Sequence, residues 1–577
     1  MDARSTLQAC PLFAGVSEAA LDWLAARATM LPIGGGETLF AAGAIPTDLH
    51  IVAAGRLRAL RPDGSTMGDV VRLEPVGEIG LLTGEPRHAS VYALRDSLLL
   101  KISGPDWLQF AQDHPSALLE TTRVIIRRMR QTTRQSQLGG ARASQTFAIL
   151  PAHSGALATE MAHALVAALS TFAPTQLIDA RTVDAVLGAG AATAADGEDS
   201  DRRLLSWLSE REHQRAYLVY LADEGNTAWT RRCLRQADRV LVAADVDTPP
   251  IGSPTLDLLR QSPPRVAVEL LLRRPDGSAG GEVLAWRTRA QARAHYFLRP
   301  GDVRDYTSLA RQLCGRGIGL VLGGGGARGF AHIGLIRALE ELEIPVDIVG
   351  GTSMGAFFAA LRACGTRSVD MQELARQTFV ANNYMNDFVL PRVALIRGRK
   401  FLQRLHVLFG DRRIEDLRMP FFCMSTNLTR ATSVTHDHGP LYMWVGTSMS
   451  VPGVAPPMVW HGELLADGAV LNALPTDIMQ SLGRGPIIAS DVNPGGGPRL
   501  EGVEGPDPEA LLRRERGGIT LIDLLFRSAT LSNEHNHLLH SERAEVYMRM
   551  PVAGVAVFDW KRLDDVVERG YRHAHVD

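Results

Sequence analysis

Cysteine is scarce in this chain of 577 residues: Cys10, Cys233, Cys314, Cys364 and Cys423 lie far apart, are odd in number and form no C-x-x-C pair. That spacing argues against zinc sites and against a disulfide framework, and it fits a reducing cytoplasm. Lysine is nearly absent, the basic residues being almost all arginines spread along the chain, and the formal net charge is only -2. Neither bulk disorder nor a nucleic-acid partner is expected from that balance. No uninterrupted apolar run reaches the ~18 residues of a spanning helix, and the N-terminus lacks a basic segment followed by an apolar core. Membrane contact, if made, is therefore expected at the surface, on the inner face.

The chain is too long for a single hydrophobic core, so two to four domains are expected. From Leu12 to about Ile102, short β-rich runs such as "LHIVAAGRLRAL" and "SVYALRDSLLLKI" alternate with turn signals and read as a small barrel or sandwich. A helix follows, with Leu118, Leu119, Val124, Ile125 and Met129 at helical spacing beside Arg123, Arg127, Arg128 and Arg130; the arginine run reads as a solvated face. Beyond "QLGGARAS", buried runs ("TFAILPA", "AYLVYLAD", "DRVLVAADV") alternate with helical stretches, the pattern of parallel strands with crossover helices. Within it, "VLGAGAATAADGEDSDR" reads as an exposed loop. A second α/β domain begins near Gly317 and runs past "GPIIASDVNPGGG".

That domain opens with "GLVLGGGGARGFAHIGLIRALEE", a strand, a glycine turn and a helix. Gly324, Gly326 and Gly329 satisfy G-x-G-x-x-G, yet the acid at the expected distance, Asp347, begins a strand where a dinucleotide site needs one that ends it. A triphosphate site is excluded more simply, because no Gly-Lys-Ser/Thr follows. The strand after Asp347 leads instead into Gly351-Thr-Ser353-Met-Gly355 and a helical run. G-x-S-x-G between strand and helix projects a serine from a tight turn, which makes Ser353 the candidate nucleophile. The backbone amides of Gly324, Gly325 and Gly326, at the mouth of a helix, are candidate donors to an oxyanion. Arg328 fits two roles equally, reinforcing that positive field or fixing the loop. Asp467, on a turn after "GELLA", is the candidate base, although an aspartate before glycine is also an ordinary turn residue.

Gly-Gly-Gly-Ala-Arg-Gly (324 to 329), Gly-Thr-Ser-Met-Gly (351 to 355), "SMSVPGVAPP" (448 to 457) and Asp-Gly-Ala (467 to 469) together closely resemble the patatin-like phospholipase family. The resemblance implies a Ser353–Asp467 dyad without a catalytic histidine, metal or other catalytic cofactor, cutting carboxylic esters of phospholipids or lysophospholipids. His332, and more weakly His535, His537 and His540, are the histidines a triad would have to use. Alanine after Asp467-Gly468, and Ala455 where an aromatic is frequent, depart from the commoner family pattern without removing a catalytic atom.

"VGEIGLLTGEPRHASV", residues 76–91, resembles the phosphate cassette of cyclic-nucleotide-binding domains. That resemblance assigns Glu78 to a ribose hydroxyl, Arg87 to the cyclic phosphate, and backbone groups near Gly77, His88 and Ala89 to support, with cyclic AMP or cyclic GMP as regulator. Equally, the cassette could persist for folding alone. Residues from Thr146 to about Val246 resemble the α/β segment of bacterial relatives of neuropathy target esterase, and "AILPAHSGALA" there has no lysine with which to serve as a phosphate loop. The expected architecture is multidomain: a β-barrel-type cyclic-nucleotide-binding domain with a C-terminal helix (8–135), a central α/β domain (145–300), an α/β patatin-like hydrolase (315–480) and its C-terminal extension (481–577). The rival from another class is a nucleotide-sensing interaction protein whose hydrolase fold is idle.

Overall fold

The computed structural model describes residues 2–138, 146–195, 198–261, 266–275, 282–382, 386–390, 392–495 and 537–576, with a few single positions between 507 and 531. Arg127, Arg128 and Arg130 fall on a described helix, Pro115–Leu138, but outside the described side chains. The chain divides into two compact units, Met1–Ala310 and Arg311–Asp577.

The first unit begins with two four-stranded sheets. One joins β1 (Thr29–Ile33), β8 (Ser97–Ser103), β3 (Asp48–Ala54) and β6 (Pro75–Val76); the other joins β2 (Thr38–Phe40), β7 (Ser90–Ala93), β4 (Leu57–Leu60) and β5 (Thr66–Val70). Their pairings are antiparallel, and Val52, Leu57, Val91 and Leu99 fill the space between them. The expected β-rich N-terminal domain is thus a sandwich of two sheets.

The central part of the same unit is a six-stranded parallel sheet in the order β10 (Thr175–Ile178), β11 (Tyr217–Leu221), β9 (Thr146–Pro151), β12 (Arg239–Asp245), β13 (Ala267–Arg273), β14 (Ala294–Leu298). Its inner strands β9, β11 and β12 are buried along nearly their whole length, as a parallel sheet covered by helices requires. The stretch expected as an exposed loop departs from that reading: Ala191 and Ala192 are core residues, and a helix starts at Asp199. Acidic residues in a first helical turn are favoured by the helix dipole. Asp201 in that turn is buried and paired with Arg232, whereas Glu198 and Asp199 before it remain exposed as the loop reading expects.

The second unit is built on an eight-stranded sheet in the order β19 (Met458–Trp460), β20 (Glu463–Asp467), β17 (Phe421–Asn427), β16 (Ile348–Thr352), β15 (Gly319–Leu322), β21 (Ile487–Asp491), β22 (Val546–Arg549), with β18 (Thr432–His436) antiparallel to β17. The five strands from β17 to β22 in that order run parallel, and β20 returns antiparallel to β17. The C-terminal residues belong to this unit. β22 extends the sheet, and helix Leu563–Val576 lies so close on helix Ala331–Glu341 that a Cβ at Gly334 would stand 2.2 Å from the Val567 carbonyl.

Candidate active site

Ser353 sits between the end of β16 and helix Met354–Ala363 with φ 54° and ψ −122°. A non-glycine residue there stores roughly 1–3 kcal/mol of strain and needs surroundings that enforce it. The flanking glycines make the turn sterically feasible: a Cβ on Gly355 would lie 2.0 Å from the Leu322 carbonyl oxygen, and one on Gly351 would lie 2.7 Å from the same atom. The Ser353 amide is held by Ser448 Oγ at 2.9 Å, and neighbouring Thr352 donates its hydroxyl to the Asn472 carbonyl.

Two registers bring the base to the nucleophile. Thr352 pairs with Met424 across β16 and β17, and Ser425 pairs with Asp467 across β17 and β20, so Ser353 and Asp467 stand at one level of the sheet. Ser353 Oγ donates to Asp467 Oδ2 at 2.7 Å, while Asp467 Oδ1 accepts the Ala469 amide at 2.8 Å. The carboxyl is 1% exposed. Burial raises its pKa to about 7, against the opposing pull of the Ala469 amide and the Ser353 hydroxyl. A carboxyl so placed can take and return a proton near neutrality, which is where a general base is most effective.

The glycine turn divides its amides. Gly324 donates its N–H to the Ala473 carbonyl at 2.9 Å, so this amide, expected to face the oxyanion, is committed to the fold. Gly325 and Gly326 have no acceptor for theirs among the described residues, and Gly326, at φ +59°, lines the same pocket as Ser353. Arg328 gives its Nε to the Val555 carbonyl at 2.8 Å, tying the turn to the C-terminal loop.

His332 is fully buried and contacts the Gly323 carbonyl through Nε2 (2.8 Å) and Ser490 Oγ through Nδ1 (2.9 Å). A carbonyl can only accept, so Nε2 carries the proton and Nδ1 accepts from the serine hydroxyl. Burial pushes its pKa down to about 4, leaving a neutral ring that braces the glycine turn. His540 contacts Thr476 Oγ1, His537 has no described side chain, and His535 lies outside the described residues. Asp347 is bound by Arg311 and by the Ile318 amide, as a strand-opening structural acid would be.

Ser353 opens into a cavity of about 270 Å³ whose walls include Phe379, Phe401, Leu402, Met449, Val454 and Trp560. Sequence reasoning missed this wall. Trp560 stacks on Phe379 at 4.9 Å, and the only sequence signal was an aromatic pair in "VFDWK", remote from every motif. Ser448 and Val454 lie in the quoted "SMSVPGVAPP", which had been given no specific role.

In the sandwich, Arg87 is buried and its guanidinium donates to the Gly77 carbonyl (2.5 Å) and the Asp48 carbonyl (2.8 Å), lying 4.3 Å from the centre of the Phe40 ring. Its Nε has no partner among the described residues, and burial lowers its pKa. Gly77 caps the short helix that begins at buried Glu78; His88 is exposed and turned to Glu85, and Ala89 is half-buried. In the central domain, the amide of Gly155, first in its helix, is donated to Glu224 Oε1 at 2.5 Å. The described residues hold no group of three or more His, Cys, Asp or Glu placed to bind a metal, and none of their helices is long and apolar enough to cross a membrane.

Three family models match the chain: residues 320–479 match the patatin-like phospholipases, 143–299 the neuropathy target esterase family P-loop like domain, and 32–114 the cyclic nucleotide-binding domain. Among curated proteins the chain is similar to patatin-like phospholipase domain-containing protein 7 of Mus musculus, at 30% identity over 622 residues, covering 96% of this chain and 45% of that protein. It is 31% identical over 527 residues to patatin-like phospholipase domain-containing protein 6 of Homo sapiens, covering 82% and 38%. It is 29% identical over 644 residues to lysophospholipase nte1 of Aspergillus niger, covering 96% and 41%. The chain thus spans less than half the length of these relatives.

Proposed function

Because this chain carries a patatin-like phospholipase domain behind a neuropathy target esterase family P-loop like domain and a cyclic nucleotide-binding domain, we propose that it is a serine esterase of phospholipids or lysophospholipids, working from Ser353 and Asp467. The observation that carries this reading is the 2.7 Å hydrogen bond from Ser353 Oγ to a buried carboxylate at the opening of an apolar cavity.

In this reading Asp467 accepts the Ser353 proton as Oγ attacks the ester carbonyl. The amides of Gly325 and Gly326 receive the oxygen that becomes negative, a contribution of ~10²–10³ per donor in comparable sites. Asp467 returns the proton to the departing glycerol oxygen, leaving an acyl-serine. A water molecule then gives its proton to Asp467 and attacks the acyl carbon; the proton passes back to Ser353 Oγ as the fatty acid leaves. Each acyl methylene buried in the cavity contributes ~0.8 kcal/mol, which favours long chains.

The N-terminal domain regulates this activity through a cyclic nucleotide, and what supports that is Arg87: this buried cation hydrogen-bonds the Gly77 and Asp48 carbonyls, feels the Glu78 and Asp48 carboxylates nearby, and keeps an Nε without a partner among the described residues that an anion could engage. The central domain acts as scaffold, its loop amide at Gly155 being satisfied by Glu224. The enzyme works in the cytoplasm at a lipid surface. The test is fatty-acid release from lysophosphatidylcholine and diacyl phosphatidylcholine by wild type and Ser353→Ala, with and without cyclic AMP. Serine-dependent release is expected; equal release by both proteins would move the nucleophile elsewhere, and no release by either would favour a sensing protein.

A further inference from the structure

Beside the cavity, residues 387–390 and 392–397 lie folded against one another as the two limbs of a hairpin. The Val389 amide donates to the Leu395 carbonyl (3.1 Å) and the Arg397 amide to the Asp387 carbonyl (3.0 Å), with Phe388 opposite Ile396 in an antiparallel bridge. The returning limb is fastened to the cavity wall, because Leu395 and Ile396 donate to the carbonyls of Gly453 and Val454 at 3.0 Å each. Ile396, Arg397 and Val454 line the cavity itself.

The outer end of this hairpin is apolar and open to solvent: Phe388 is 72% exposed, Leu390 79% and Val393 68%. Scattered exposed hydrophobics need no explanation, but three on one short hairpin beside an apolar cavity do. Around them stand four exposed cations, Arg392, Arg397, Arg399 and Lys400. The one carboxylate in the segment, Asp387, is occupied by the amides of Gly398, Arg399 and Lys400. A second exposed apolar group, Val459 and Trp460 on β19, flanks the same cavity through Met458 and Val459. Exposed apolar side chains and exposed cations on one segment beside the cavity, with Trp460 exposed on a strand that also lines it, match the chemistry of a bilayer face: acyl chains inside, anionic headgroups at the rim and an interface that favours tryptophan.

We propose that the 387–397 hairpin is a docking element for an anionic lipid surface, inserting Phe388, Leu390 and Val393 among the acyl chains so that the cavity opens directly onto the membrane. This rests on the esterase reading and supplies its partner surface: an acyl chain then reaches Ser353 without crossing water.

The test uses the full chain, sedimented with vesicles of phosphatidylcholine alone or mixed with phosphatidylglycerol. Phe388→Ser combined with Leu390→Ser is expected to weaken vesicle binding at least about tenfold and to slow hydrolysis of vesicle phospholipid in proportion. Hydrolysis of the dispersed soluble ester p-nitrophenyl butyrate should stay at the wild-type rate, which also shows that the variant is folded. Arg392→Glu with Arg399→Glu should weaken binding only to the phosphatidylglycerol vesicles, by about fivefold for each cation lost. Wild-type vesicle binding by the doubly serine-substituted protein would overturn the proposal. So would a change from dimer to monomer in that protein with vesicle binding intact, since the hairpin would then meet a second copy of the chain. If wild type fails on p-nitrophenyl butyrate yet binds vesicles through the hairpin, the esterase reading falls and the docking surface stands.

Discussion

Replacing Asp467 with asparagine separates what the carboxylate does for chemistry from what it costs the fold. Burial moves its pKa from the ordinary carboxylate value of 3.8 to about 7, and at ~1.36 kcal/mol per unit the folded protein bears a penalty of up to about 4 kcal/mol for the ionised form. Below the unfolded-state value both states hold the proton and no penalty exists. Between that value and about 7 the unfolded chain ionises first, so stability falls as pH rises; above 7 the penalty is complete. Asparagine can preserve both contacts, turning its oxygen to the Ala469 amide and its NH₂ to Ser353 Oγ, and it never ionises. Differential scanning calorimetry should therefore find the variant melting higher than wild type on the alkaline side, by up to roughly 8–16 °C at ~2–4 °C per kcal/mol, with the gap closing at acid pH. In the same preparation ester turnover should fall by about 10²–10⁴, and wild-type kcat/KM should rise with pH through about 7 as the base is deprotonated. A melting difference that is the same at acid and alkaline pH, or an activity profile already flat at pH values well below 7, would refute the assignment of a buried, neutral-range base.

Ser353→Ala should abolish labelling by a fluorophosphonate probe, and labelling that persists would locate another nucleophile. For Arg87→Ala, a calorimetric titration with cyclic AMP should show binding about tenfold or more weaker, since a charged hydrogen-bond donor is worth ~1.5–3 kcal/mol; unchanged heats would remove Arg87 from the nucleotide site. His332→Phe strands the Gly323 carbonyl and the Ser490 hydroxyl, at ~1–3 kcal/mol for each group, so denaturant unfolding should register the loss; turnover restored by added imidazole would instead argue for a catalytic histidine. Asp96→Ala removes the carboxylate that binds Arg232 and Arg235 at 2.7 Å, and because Arg232 keeps Asp201 as a partner the loss of stability should be about 1–3 kcal/mol, that of stranded charged hydrogen-bond donors; a loss well below about 1 kcal/mol would mean the cluster is solvated.

How much of this could be read from residues alone depended on whether the determinant was local. The elbow could be read because the two glycines it needs, Gly351 and Gly355, both flank Ser353 within five residues, even though the carbonyl they make room for, that of Leu322, lies on β15. Asp467 was legible as a strand-end acid, although its partnership rests on two strand registers that no short window contains. The apolar wall was not legible, since Phe379, Phe401 and Trp560 converge from three distant segments with no shared periodicity. Asp201 was misread for the opposite reason: composition marks solvated loops, and its exposed neighbours Glu198 and Asp199 fit that, but Asp201 is buried because a distant arginine, Arg232, compensates it.

Similar local chemistry, a backbone amide after a strand and at the start of a helical segment, occurs twice in the chain with different outcomes. At Gly155 the amide is met by the protein's own Glu224, so a ligand anion would have to displace a carboxylate already bound. At the 324–326 turn, Gly324 is spent on Ala473, but Gly325 and Gly326 are left without acceptors among the described residues, beside a serine held by strain and a carboxyl tuned to neutrality. Gly325 is buried and Gly326 half-buried at the cavity wall, and an unpaired donor that is fully buried costs a resting protein ~1–3 kcal/mol. In the proposed mechanism that cost is recovered only when negative charge develops there, so two open amides would discriminate the transition state from the resting ester. The sequence difference behind the two outcomes is small: an acid on the neighbouring strand end in one case, and in the other a glycine run flanked by small and apolar residues.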